Sequence, residues 1–156
     1  MALTFSEQRP TLAGTDPEAD EQASGRGTQA ELPRILMAED NPINQRVGKL
    51  ILQRAGFSVD LAADGSAAVE AHRANPYDLI LMDCQMPTMD GFEASRQIRQ
   101  LEKRQPVIIA VTANALAGER ERCLQAGMDD YLSKPFQAEH LVSVVQKWIA
   151  NGRGAA

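Results

Sequence analysis

Five short apolar runs are spaced along this chain, and a stretch with helical period follows each of them. The clearest run is Asp78–Met82, which leads through Leu-Ile-Leu-Met to the carboxylate Asp83 and then turns through Pro87 and Asp90-Gly91. A run this short, rich in Leu and Ile and closed by turn residues, predicts a strand covered on both faces. Arg34-Ile-Leu-Met-Ala reads as the first strand and ends on Glu39-Asp40. Phe57–Ala62, Pro106–Thr112 and Met128–Ser133 read as the second, fourth and fifth strands.

Helices are predicted between and after these runs. Asn41-Pro42 opens the first, since proline at a first helical position loses no hydrogen bond. Val47, Leu50, Ile51 and Leu52 form its apolar side, and Ala55-Gly56 ends it. Asp64 is a good N-cap for a helix over Gly65–Ala74. The third helix runs from Gly91 to about Lys103, the fourth over Ala117–Ala126, and the fifth over Ala138–Ala150. Leu141, Val144, Val145, Trp148 and Ile149 give the last an inner face, with Trp148 in the core. Strand and helix alternating five times predicts an α/β fold: a doubly wound parallel sheet with helices on both faces.

Residues 1–32 show no such period. They hold six acids against two bases, among Pro10, Pro17, Gly14, Gly25 and Gly27. This reads as a disordered acidic tail or linker, dispensable for the chemistry, before a domain over 33–150 and a short tail at 151–156. The net charge of −5 on 156 residues implies no nucleic-acid-binding surface. No apolar run approaches the ~20 residues of a membrane span, and no basic-then-apolar leader opens the chain. A cytoplasmic protein without membrane contact is expected. Cys84 and Cys123 lack the spacing of a metal site or a disulfide framework and are read as reduced thiols. His72 and His140 lie among polar neighbours and are read as surface residues.

The candidate chemistry lies where strands end. In doubly wound sheets, ligands bind beyond the carboxyl ends of the strands. Asp40, Asp83, Thr112 and Lys134 all follow such ends. Glu39, Asp40 and Asp83 would form a cluster of like charges, which a hard divalent cation relieves. Mg²⁺ held by carboxylates suits phosphoryl chemistry, with Asp83 as nucleophile, Lys134 as mobile cation and Thr112 as hydroxyl.

These residues stand in four motifs: Ala38-Glu-Asp-Asn-Pro, Met82-Asp-Cys-Gln-Met-Pro-Thr-Met-Asp-Gly, Val111-Thr-Ala-Asn-Ala and Tyr131-Leu-Ser-Lys-Pro-Phe. In this combination and order they resemble the receiver domain of two-component response regulators. Together with Ala126-Gly-Met-Asp-Asp-Tyr131, the wording is most like receivers of hybrid sensor histidine kinases. The resemblance implies a flavodoxin-like five-stranded sheet of order 2-1-3-4-5, five helices, and a cis bond between Lys134 and Pro135. It implies Asp83 as phosphoacceptor and Mg²⁺ on Asp40, Asp83 and the backbone carbonyl of Gln85, with Glu39 joining through water. It further implies that Thr112 bonds the phosphoryl group, that Lys134 is its cation, and that Tyr131 is an aromatic switch coupled to Thr112. Docking of the phosphodonor falls on Ile43, Pro135 and Phe136. The partner implied is a histidine kinase or histidine phosphotransfer domain. Self-association through the face of the fourth helix, fifth strand and fifth helix is a further expectation. So are self-phosphorylation and slow autodephosphorylation. With no output domain after residue 150, the chain reads as a freestanding receiver or as the end of a hybrid kinase, and its motifs favour the second.

Three other readings compete. An aspartyl-phosphate hydrolase with Mg²⁺ resembles a pattern with two Asp, one residue apart, after the first strand, whereas here Glu39-Asp40-Asn41 stands. A nucleotide-binding fold needs a glycine-rich loop after that strand, and Asn41-Pro-Ile-Asn has none. A phosphate-independent interaction module has no need of an intact acceptor site.

Overall fold

A computed structural model describes residues 32–101, 104–113 and 117–151. Ten elements follow one another: β1 (Arg34–Ala38), α1 (Pro42–Arg54), β2 (Ser58–Ala62), α2 (Gly65–Ala74), β3 (Leu79–Asp83), α3 (Gly91–Gln100), β4 (Val107–Thr112), α4 (Ala117–Gln125), β5 (Asp130–Ser133) and α5 (Ala138–Asn151). The strands pair in parallel in the order β2-β1-β3-β4-β5, as expected. Every residue of β3 and β4 is buried, which explains their unbroken apolar runs; the edge strands β2 and β5 are partly open.

Alternate residues of each strand serve opposite layers. Leu36, Ile80, Met82 and Ile108 pack with Ala68, Val69, Phe92, Ile98 and Cys123 of α2, α3 and α4. Ile35, Met37, Leu79, Leu81 and Ile109 pack with Leu52 of α1 and Leu141 and Val145 of α5. Trp148 is half-buried on this second layer and donates through Nε1 to Asp130 Oδ2 at 2.7 Å. Strand order reverses between β1 and β3, so a crevice opens there at the carboxyl edge.

Several boundaries differ from the sequence reading. β1 stops at Ala38, although the Glu39 N–H still donates to the Ala62 carbonyl at 2.9 Å, and the Glu39 carboxylate accepts from Asn41 and Asn44. β3 starts one residue late and carries Asp83 as its own last residue. α3 stops at Gln100, where Leu101 takes an extended backbone. β5 starts at Asp130, since Gly127 turns with φ +96° and the Asp129 carboxylate is taken by Arg99 Nη2 and the Ile108 N–H.

Two side-chain readings need correction. Val47 and Leu50 do not face the core; each is 48 % exposed. The buried face of α1 is Gly48 and Leu52 instead, because the missing side chain at Gly48 admits Met37. His72 is fully buried rather than on the surface. Its Nδ1 accepts the Tyr77 N–H at 3.1 Å and its Nε2 donates to the Arg104 carbonyl at 2.9 Å, a pairing that fixes the neutral Nε2–H tautomer. His140 is exposed, as expected. No helix among the described residues is long and apolar enough to cross a membrane. Residues 1–31 and 152–156 lie outside the described residues, and with them nearly all of both predicted tails.

Candidate active site

Parallel register brings the site together. Ala38 lies opposite Met82, so the next residues, Glu39 and Asp83, come side by side. Asp83 lies opposite Val111, which places Thr112 one step beyond it. Thr112 lies opposite Ser133, and the Lys134 N–H donates to the Thr112 carbonyl at 2.8 Å. Four residues spread over nearly a hundred positions of sequence therefore meet at one edge for reasons of backbone pairing alone.

The loops after each strand then aim the side chains. Asn41 caps α1 by accepting from the N–H groups of Ile43 and Asn44. Its own N–H donates to Glu39 Oε2 at 3.1 Å, and Asn44 Nδ2 donates to the same oxygen at 3.4 Å. Gly91 opens α3 with its N–H on the Cys84 carbonyl, and a Cβ there would lie 2.3 Å from the Asp83 carbonyl oxygen. The absence of a side chain at Gly91 therefore lets α3 start close beneath Asp83. The Lys134–Pro135 bond is cis, as expected.

Lys134 bridges the acids. Its Nζ lies 3.0 Å from Asp83 Oδ2 and 3.0 Å from Glu39 Oε1. Asp83 Oδ1 accepts the Gln85 N–H at 3.1 Å. Burial by itself would lower the pKa of Lys134, but the bonds and charges of Asp83 and Glu39 outweigh it and hold the ammonium above its ordinary value. Glu39, Asp40 and Asp83 each offer a carboxylate oxygen, and all three lie within 4.8 Å of one another. Glu39 and Asp83 are buried and Asp40 is exposed, so the cluster is reached from solvent on the Asp40 side. Three carboxylates against one ammonium leave an excess of negative charge, and an all-oxygen donor set of this kind fits a hard divalent cation such as Mg²⁺.

A groove of about 490 Å³ runs beside this cluster, with Glu39 and Lys134 on its floor and Val47, Pro135 and Phe136 in its walls. Ile43, 71 % exposed, stands on the solvent side of α1 close by in sequence. Ile43 follows the end of β1 and Pro135-Phe136 follow the end of β5, so all three come after carboxyl ends of strands.

Thr112 is buried, and its hydroxyl has a partner on α4. Oγ1 donates to Glu119 Oε2 at 3.3 Å. Tyr131 is half-buried against the α2–α4 layer, and the Arg120 guanidinium lies 5.9 Å from its ring centre. The reading of the sequence missed Glu119 because it stands seven positions after Thr112, in a helix without a strong apolar period. It also missed that Cys84 and Cys123, 39 positions apart, become neighbours whose thiols interact. Burial pushes both thiols up, so neither is a ready thiolate. Asn114 and Ala115 of the Val111–Ala115 motif lie outside the described residues.

A five-stranded parallel sheet of this order, with an acid cluster, a hydroxyl and a lysine at its switch point, is the architecture of a receiver domain. The chain belongs to the response regulator receiver domain family, which it matches over residues 35–146. It is 41 % identical over 143 residues to the sensor histidine kinase GacS of Pseudomonas protegens, covering 89 % of this chain and 15 % of that kinase. The chain spans only 7 to 15 % of the length of these hybrid and sensor kinases, among them hybrid signal transduction histidine kinase B of Dictyostelium discoideum. Among solved structures, it is 50 % identical to the receiver domain of the sensor histidine kinase PA1611 of Pseudomonas aeruginosa, with a TM-score of 0.72, over 77 % of this chain and 99 % of that one. That receiver was crystallised with a magnesium ion in its active-site cleft. The receiver of a Saccharomyces cerevisiae response regulator, solved with its histidine phosphotransfer protein, is 30 % identical with a TM-score of 0.71, over 78 % of this chain and 92 % of that one. Receiver regions of hybrid sensor kinases are thus among its relatives, as the motifs imply.

Proposed function

We propose that this chain accepts a phosphoryl group on Asp83 from a phosphohistidine of a partner, as the receiver segment of a hybrid sensor kinase in a phosphorelay. The observation that carries the reading is the Lys134 bridge, 3.0 Å to Asp83 and 3.0 Å to Glu39, set within the three-carboxylate cluster. A carboxylate oxygen of Asp83 attacks phosphorus, an O–P bond forms, and the N–P bond to the donor imidazole breaks. The imidazole leaves with the electron pair and is reprotonated. Lys134 keeps Asp83 in place beforehand and offers its ammonium to the transferred group as charge moves onto it. Thr112 is near enough in register to give its hydroxyl to a phosphoryl oxygen. Glu39, Asp40, Asp83 and the backbone carbonyl of Gln85 would hold Mg²⁺, which supplies positive charge to the phosphoryl oxygens. The magnesium-bound relative supports that assignment, and the yeast complex supports a histidine phosphotransfer partner. Ile43, Val47, Pro135 and Phe136 present apolar surface beside the acceptor, where such a partner would dock.

Incubation with Mg²⁺ and acetyl phosphate should add one phosphoryl mass, read on the intact protein. Asp83→Asn should add none, and chelation of the metal should abolish labelling of the wild type. Labelling of Asp83→Asn at the wild-type rate would place the acceptor on another residue.

A further inference from the structure

Thr112 has a single hydroxyl hydrogen to donate, and its Oγ1 stands 3.3 Å from Glu119 Oε2. Glu119 belongs to the first turn of α4, is buried to 9 % exposure, and pairs on its outer side with Arg122, whose guanidinium lies 4.2 Å from the centre of the Phe92 ring. It faces the same cavity of about 410 Å³ as Asp40, Cys84 and Gln85, so it looks onto the acceptor region. The next residue, Arg120, lies over Tyr131. One turn of helix therefore touches both ends of the expected coupling, the hydroxyl of Thr112 and the ring of Tyr131.

We propose that Glu119 is a positioning residue that holds the Thr112 hydroxyl away from Asp83 at rest. Phosphorylation then moves α4 by winning that one hydrogen bond. The proposal rests on Asp83 being the acceptor. Two anionic acceptors, the Glu119 carboxylate and the phosphoryl group, compete for one hydrogen, and Thr112 serves one at a time. At 3.3 Å the resting bond is long for a hydroxyl donor and is readily surrendered. Once it is given up, Glu119 keeps Arg122, but the first turn of α4 loses the bond from Glu119 to Thr112. Arg120, carried on that turn, then shifts over Tyr131. The switch signal thus passes through α4 rather than by direct contact between Thr112 and Tyr131.

Beryllofluoride with Mg²⁺ serves as the phosphoryl mimic, with binding followed by NMR at the Tyr131 amide. Glu119→Gln should bind it about tenfold tighter than wild type, because the resting competitor is weakened. Removing a negative charge favours an anion by itself, so the same substitution is compared in a Thr112→Val background, where it should gain no more than about threefold. Glu119→Asp keeps the charge and loses the reach; it should also bind more tightly than wild type. Without ligand, the Tyr131 signal of Glu119→Gln should already lie partway toward its bound position. Equal gains in the wild-type and Thr112→Val backgrounds, or unchanged affinity in Glu119→Asp, would overturn the latch while leaving the acceptor intact. Failure of the wild type to bind beryllofluoride at all would instead remove the acceptor reading, and the latch with it.

Discussion

Lys134 and Tyr77 show how single residues at opposite edges of the sheet make stability depend on pH. Tyr77 is buried; its hydroxyl donates to Asp60 Oδ2 at 2.7 Å. Burial first, then the bond to Asp60 and its negative charge, push the phenol up from 10.0 to about 12. Lys134 is also raised, by Asp83 and Glu39 against the effect of burial. Both groups bind their proton more tightly when folded. Their contribution is complete below the unfolded values, near 10 for each, and is lost as pH rises through the folded values. Stability should therefore fall above about pH 10, and the fall should be smaller in Tyr77→Phe and in Lys134→Met. Absorbance of tyrosinate near 295 nm distinguishes the two: the late component, near pH 12, should vanish only in Tyr77→Phe. A late component that survives in that variant would show that Tyr77 is not its source.

The helices meet the sheet through two glycines with opposite tolerance. A Cβ at Gly48 of α1 would come 2.4 Å from Met37 Cε and 2.5 Å from its Sδ, the far end of a flexible side chain. Methionine repacks readily, and alanine is favoured over glycine in a helix interior by about 1 kcal/mol. Gly48→Ala should thus leave stability within about 1 kcal/mol of wild type in urea unfolding. At Gly91 the obstacle is the Asp83 carbonyl, 2.3 Å away, which is backbone and cannot step aside without moving β3. Gly91→Ala should cost about 2–3 kcal/mol and slow phosphorylation of Asp83 by about tenfold or more. Equal effects of the two substitutions would show that α3 has more freedom at its start than the close approach implies. On the far side of α3, Arg99 ties the helix to the loop before β5, donating to the Gly127 and Pro106 carbonyls and pairing with Asp129 at 2.8 Å. That pair is mostly buried, so truncating either partner costs more than at the exposed pairs of the surface.

For the molecule as a whole, the folded unit accounts for the proposed chemistry without the first 32 residues. Every site residue, from Glu39 to Lys134, lies within the region matched to the receiver family. The acidic opening segment has no periodic apolar face with which to bury area. A chain beginning at Pro33 should therefore melt within about 3 °C of the full chain and label with acetyl phosphate at the same rate. Melting tens of degrees lower, or markedly slower labelling, would make residues 1–32 part of the fold.

The sequence alone determined the order and type of all ten elements. It also placed Asp40, Asp83, Thr112 and Lys134 beyond strand ends, because burial on both faces leaves an unbroken apolar run that any later polar residue must terminate. Asn41-Pro42 and Asp64 announced helix starts for equally local reasons, a proline that loses no bond at a first helical position and a side-chain oxygen within reach of the first free N–H groups; the caps by Asn41 and Asp90 show only in the structure. Whatever depended on partners far along the chain was decided only by the tertiary structure. His72 sits among polar neighbours in sequence, yet it is buried, because Tyr77 and Arg104 supply both of its ring bonds. Val47 and Leu50 look like core residues but remain exposed, because α1 approaches the sheet through Gly48 and Leu52. Thr112 meets Glu119 because α4 brings a carboxylate into range that no strand period signals. Periodicity records how much of a residue is covered; the direction of its polar atoms follows from which element is packed against it.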